Sequence, residues 1–160
     1  MRSTIGKFIS RGLRDKYFPK SEIAESDLLS IQLFVNAVLS AKGVLLKHKK
    51  RFISKSLWDI TNPVSKYKYL QRYRSKCVLE EQDESIELRH EHVFEKANMV
   101  ERILATPASV RKELQKAVGC VVTKPEHDLL HRKSKGYDGW ARYKHAGIKV
   151  YDMKQGKWIT

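Results

Sequence analysis

The tract Cys120-Val121-Val122-Thr123-Lys124-Pro125-Glu126-His127 leaves the chain little freedom at that point. Apolar, β-branched residues after Gly119 predict a short strand. Thr123 then suits a helix N-cap. Its hydroxyl can accept the N–H three residues on, and Glu126 can reach back to the cap N–H. Pro125 lies in the first turn, where a missing N–H costs no helical hydrogen bond. A helix to about Lys133 follows, and it places His127 and His131 one turn apart on one face.

A second period-two pattern lies upstream. Ile86, Leu88, His90, His92 and Phe94 alternate with Glu87, Arg89, Glu91, Val93 and Glu95, which predicts a strand. Between the two strands, Ala97 to Leu104 and Ser109 to Ala117 have helical spacing, separated by Pro107. In the first half, Phe18-Pro19 is a break, and Ser21 or Ser26 is the expected cap of a helix with a broad apolar face from Leu28 to Leu39. Gly43 should end or bend it. A short helix is expected over Ser54 to Trp58, and a turn at Asn62-Pro63. Tyr67, Leu70, Tyr73 and Cys77, interleaved with Lys66, Lys68, Arg72, Arg74 and Lys76, predict a basic helix over 64–78. After Gly136 an irregular tail carries Trp140, Tyr143, Tyr151 and Trp158. The reading is an α+β, mainly helical protein: a basic helical region over 1–80, a strand–strand–helix unit with a helical insertion over 81–135, and a tail over 136–160 packed on that core.

Charge narrows the partner. The net charge is +14. Residues 1–80 hold 17 Lys/Arg against 6 Asp/Glu, whereas 81–160 hold 15 against 12. Between Lys42 and Lys76 there are 11 basic side chains and one acid, Asp59. Such a field attracts a polyanion and makes binding salt-dependent. Nucleic acid is the expected partner, DNA rather than RNA. Lys47, Lys49, Lys50, Arg51, Lys68, Arg72 and Arg74, with Arg142 and Lys144 from the tail, are the expected backbone contacts. Phosphate contacts of this kind carry no sequence information. No membrane is expected, because the run from Leu28 to Leu46 is interrupted by Ser30, Gln32, Asn36, Ser40 and Lys42 and reads as an amphipathic helix. Arg2, Lys7, Arg11 and Arg14 come without the apolar segment of a secretory signal, and Asp15 argues against a transit peptide. Cys77 and Cys120 form no CxxC pair and read as reduced thiols in a cytoplasmic protein. No phosphate-binding loop, serine-nucleophile elbow or HExxH helix is found.

The chemistry-bearing residues are Glu91-His92 at the end of one strand and His127 on the helix after the other. Phosphodiester cleavage needs a base near neutral pKa, a cation to neutralise charge on the phosphate, and mixed nitrogen and oxygen ligands that leave positions open. Leu88-Arg89-His90-Glu91-His92-Val93 resembles the opening motif of the HNH (His-Me finger) endonucleases, and 120–127 resembles the closing strand and helix of their ββα-metal finger. The resemblance covers residues 84–150. It implies a finger with a helical insertion, since His92 and His127 stand far apart in sequence. It also implies that Glu91 and His127 hold one divalent metal ion (Mg, Mn, Ni or Zn), that His92 is the general base, and that His131 is a further ligand. The segment 139–148 is similar to tails that follow such fingers.

Other roles fit the same residues. His90 shares a strand face with His92. His92 could be a half-buried structural imidazole, Glu91 a member of a solvated acidic face, and His127 and His131 surface residues. The alternative function is a non-catalytic nucleic-acid-binding or assembly protein with a degenerate finger. A third is a regulator that docks a protein through the acidic segment 80–95.

Overall fold

The computed structural model describes residues 9–160, so Arg2 and Lys7 lie outside the described residues. The fold is α+β and mainly helical, with 54% helix around a five-stranded mixed sheet. The strands are β1 (Tyr73–Ser75), β2 (Leu88–His92), β3 (Gly119–Thr123), β4 (Val150–Asp152) and β5 (Lys157–Trp158). Their spatial order is β2-β3-β1-β4-β5. β2 runs antiparallel to β3, with Glu91 opposite Cys120 and His92 opposite Gly119. β1 runs parallel to β3 and antiparallel to β4. The regions 1–80, 81–135 and 136–160 therefore contribute strands to one sheet.

The helices are α1 (Arg11–Arg14), α2 (Glu25–Ser40), α3 (Leu46–Thr61), α4 (Lys76–Glu80), α5 (Lys96–Ala105), α6 (Val110–Gln115), α7 (Lys124–Lys133) and α8 (Trp140–His145). α5 and α6 form the helical insertion between β2 and β3. With α2 and α3 they enclose a core that includes Val35, Ile53, Leu57, Ile103 and Leu114. Cys120, Val122, Leu130, Tyr143, Ile148 and Val150 form a second core, and Val78, Leu88 and Val121 belong to a third. All five residues of β3 are buried because its alternate side chains enter different cores.

Several expectations need correction. α2 starts after Ala24, and neither Ser21 nor Ser26 caps it. The short helix at 54–58 is the interior of the longer α3. The basic helix over 64–78 does not form. A 3-10 turn at Ser65–Tyr67, the strand β1 and the short α4 occupy that stretch. Arg74 explains the misreading. Its side chain is fully buried and donates to the carbonyl oxygens of Leu13, Arg14, Lys16 and Gln71, so it ties the chain before α2 to the sheet. Burial lowers its pKa to about 10, so it stays charged at neutral pH. The tail after Gly136 is also ordered, and forms α8, β4 and β5.

The apolar run of α2 is only half used. Leu28 and Val35 are buried, whereas Leu29, Leu33 and Phe34 are exposed. By length and composition alone, the stretch Pro19–Ser40 is long and apolar enough to cross a membrane, and little of it is buried. The polar residues that interrupt the run therefore do not by themselves exclude a span. The residues of α2 that are buried pack in the helical core with α3 and α6.

Candidate metal centre

The site is built on the junction that the sequence specifies best. Thr123 caps α7 by accepting the backbone N–H of Glu126 at 3.4 Å, and Glu126 Oε2 accepts the Thr123 N–H at 2.9 Å, a complete capping box. Ser75 Oγ also donates to Glu126 Oε2, at 2.5 Å, which fastens β1 to the same cap. α7 is thereby fixed across β2 and β3.

This geometry brings Glu91, His127 and His131 together. His127 Nδ1 lies 2.7 Å from Glu91 Oε2, and His131 Nε2 lies 3.9 Å from the same oxygen. The two imidazole rings are 4.4 Å apart. One ligand atom from each residue falls within 4.8 Å of the others, a group that could hold a metal ion. For metal–ligand bonds of about 2.0–2.2 Å, donors must converge to this spacing before a small side-chain adjustment completes the site. Glu91 is buried, His127 half-buried and His131 exposed, so the centre opens to solvent on the His131 side. There a depression is lined by Glu95, Asn98, His131, Lys135 and Tyr137 among others.

Arg142 does not contact a phosphate backbone, contrary to expectation. Its side chain is 1% exposed. It donates to the carbonyl oxygens of His92 and Val93 at 3.0 and 3.3 Å, and its Nη2 lies 3.4 Å from Glu91 Oε1. It also reaches Ser134 Oγ at the end of α7 and lies 3.7 Å from Glu95. The guanidinium thus holds the end of β2, the end of α7 and one oxygen of Glu91 in a single fork. The sequence signal for this role was weak, since Arg142 sits among other basic residues in the tail.

His92 is not brought into the cluster. Adjacent residues on a strand face opposite ways, and His92 follows that rule. Its ring packs 5.5 Å from Trp58 and 5.5 Å from His90, and its Nδ1 is 3.4 Å from Thr61 Oγ1. Its Nε2 is buried without a hydrogen-bond partner. Burial, with His90, Lys96 and Arg142 nearby, pushes its pKa down to about 3. His92 therefore stands apart from the Glu91–His127–His131 group, packed against Trp58 and His90. His90 lies on the same face, with Nε2 3.0 Å from the Thr61 carbonyl oxygen. Its ring occupies space that a side chain at Gly119 would fill, since a Cβ there would come within 2.4 Å of it.

The remaining basic candidates divide. Arg72 is committed to Asp152 at 2.6 and 2.8 Å and to Glu22 at 3.2 Å, and Arg74 is buried as described, so neither meets a phosphate. Lys50 pairs with Glu101, Lys49 donates to the Leu39 carbonyl oxygen, and Lys68 lies over the Trp58 ring. Lys47, Arg51 and Lys144 are exposed. Arg51 lines a groove on α3 with His48, Lys55, Trp58 and, from α5, Lys96. Lys96 and Trp58 were not singled out in the sequence, because a lone lysine and a lone tryptophan carry no pattern. No protein family, curated protein or solved structure matches this chain.

Proposed function

We propose that this protein is a metal-dependent phosphodiesterase that cleaves nucleic acid, DNA in preference to RNA. The observation that carries this reading is the convergence of Glu91, His127 and His131 on a strand–strand–helix unit; a groove of cationic and aromatic side chains lies separately on α3. Two imidazole nitrogens and one carboxylate suit Zn²⁺, Ni²⁺ or Mn²⁺ better than Mg²⁺, which prefers an all-oxygen shell. When bound, the ion would act as a Lewis acid on the scissile phosphate. Arg142 holds Glu91 in place and keeps its second oxygen occupied. The exposed cations Lys47 and Arg51 draw the polyanion to the α3 groove. Glu95, in the depression beside His131, is the carboxylate best placed to accept a proton from attacking water.

A second reading is favoured by one observation: Glu91 is already satisfied by His127 and Arg142. Such a network can be purely structural, in a non-catalytic nucleic-acid-binding protein. The deciding experiment is cleavage of supercoiled plasmid with each divalent ion or EDTA, using the wild type and the His127→Ala, Glu95→Gln and His92→Ala variants. Metal-dependent nicking lost in His127→Ala supports the nuclease. Loss in Glu95→Gln supports the base assigned here, whereas loss in His92→Ala alone returns that role to His92. DNA retardation without cutting by any of them supports the second reading.

A further inference from the structure

We propose that the outward face of α2 is the contact between two copies of this chain, packed antiparallel about a two-fold axis at Leu33. This inference does not depend on the reaction at the metal centre. No charged residue occurs between Asp27 and Lys42, yet Leu29 and Leu33 are 46% and 62% exposed. At about 100° per residue, Ser26, Leu29, Ser30, Leu33, Ala37 and Ser40 share one stripe, opposite the buried Leu28 and Val35. The serines on that stripe add little polarity. Ser30 Oγ donates to the Ser26 carbonyl oxygen at 2.9 Å, and Ser40 Oγ to that of Asn36 at 3.0 Å. A surface helix without charges for this length is the kind of face that a partner covers.

The stripe is complementary to itself in one orientation. With two antiparallel copies centred on Leu33, Leu33 meets its own counterpart, Leu29 meets Ala37, and Ser26 meets Ser40. Leu29 then faces the small Ala37 on either side of the central leucine pair, and the contact closes as a two-fold dimer. The ends agree with this arrangement. Asp27 lies at the N-terminal end of α2, where Glu25 is already paired with Arg111, and Lys42 and Lys47 lie beyond its C-terminal end. Antiparallel pairing sets each acidic end beside the other copy's basic turn, whereas parallel pairing would set acid against acid. An anionic bilayer would satisfy Lys42 and Lys47 but leave Asp27 facing like charge, whereas the antiparallel pair offers Asp27 a cation. Leu45 and Leu46, 59% and 57% exposed in the turn after α2 and at the start of α3, extend the apolar contact towards the partner. One helix face contributes less than the roughly 800 Å² per copy of a standard interface, so the dimer should dissociate reversibly.

Sedimentation equilibrium of the full chain from low to high micromolar concentration tests this. A monomer–dimer equilibrium is expected, weakened about tenfold or more by Leu33→Lys. Asp27→Lys should weaken it too, and Asp27→Lys combined with Lys42→Asp should restore it. Circular dichroism and Zn²⁺ binding, both unchanged in these variants, separate lost association from lost folding. A monomer at every concentration overturns the proposal, as does a dimer indifferent to Leu33→Lys. A monomer that sediments with phosphatidylserine vesicles through this face also overturns it, in favour of a lipid surface.

Discussion

At the scale of single residues, the centre depends on a buried cation that never touches solvent. Arg142 shares Glu91 with His127 and carries two backbone carbonyls besides. Replacing it by Met strands the Glu91 carboxylate in a buried setting. We expect Arg142→Met to lower unfolding free energy in urea by about 3 kcal/mol. In variants that still fold, such as Arg142→Lys, Zn²⁺ affinity by calorimetry should fall about 10–100-fold, because a ligand that loses its orienting partner binds less well. Glu91→Gln should remove most Zn²⁺ binding and also lower stability, since it leaves the buried Arg142 cation without its carboxylate. An unchanged affinity in that variant would remove Glu91 from the ligand set. Asp152 offers a test by pH. Burial alone would raise its carboxyl, but the Arg72 guanidinium and the backbone N–H groups of Gln155 and Lys154 outweigh that and hold it below the ordinary 3.8. A carboxyl lowered on folding adds stability that is fully present above pH 3.8 and is lost as pH falls through its folded value. Thermal unfolding should therefore show an acid-sensitive contribution below about pH 4 that Asp152→Asn abolishes.

At the scale of elements, α7 is the piece whose ends matter most, because both histidines ride on it. Thr123→Ala removes the hydroxyl half of the capping box and should cost about 1 kcal/mol, measured by denaturant titration. α7 was legible in the sequence because a cap, a proline and a glutamate sit at fixed local spacing, and its observed bounds match the expected ones. β2, α5 and α6 were legible from their periods, and β3 from its run of apolar, β-branched residues after Gly119. β1 was not. Tyr73, Arg74 and Ser75 alternate too briefly to announce a strand, and their partners Cys120, Val121 and Tyr151 are remote in the chain. β4 and β5 were missed likewise. Within the site, Glu91, His127 and His131 were legible from residue type and helical spacing. The position of His92 was not, because the face of β2 against which Trp58 packs is set by α3, an element that the spacing around 91 does not mention. Arg142 and Arg74 were misassigned because a buried guanidinium satisfied by carbonyl oxygens looks, in sequence, like any surface arginine.

For the whole molecule, positive charge is unevenly available. Much of it is absorbed internally by Asp152, Glu22, Glu101, Glu113 and backbone carbonyls. The cations left to a polyanion include Lys47 and Arg51 at α3. Reversing both with Lys47→Glu/Arg51→Glu should weaken DNA binding in a gel-shift titration and reduce the slope of log affinity against log salt by about 2. An unchanged slope would count against α3 as the proposed polyanion surface. The position of β1 between β3 and β4 has a further consequence, for the order in which the protein assembles. The unit that carries Glu91, His127 and His131 is anchored through Ser75 to a strand from the first half of the chain, and among the described residues that strand pairs on its other side with residues 150–152. Pairings this distant form late and slowly. A nascent or truncated chain lacking β4 would present β1 as an unprotected edge, open to pairing with another chain. Residues 150–152 must therefore be in place before Glu91, His127 and His131 stand on a finished sheet, so a fragment that ends before β4 should not carry the site intact.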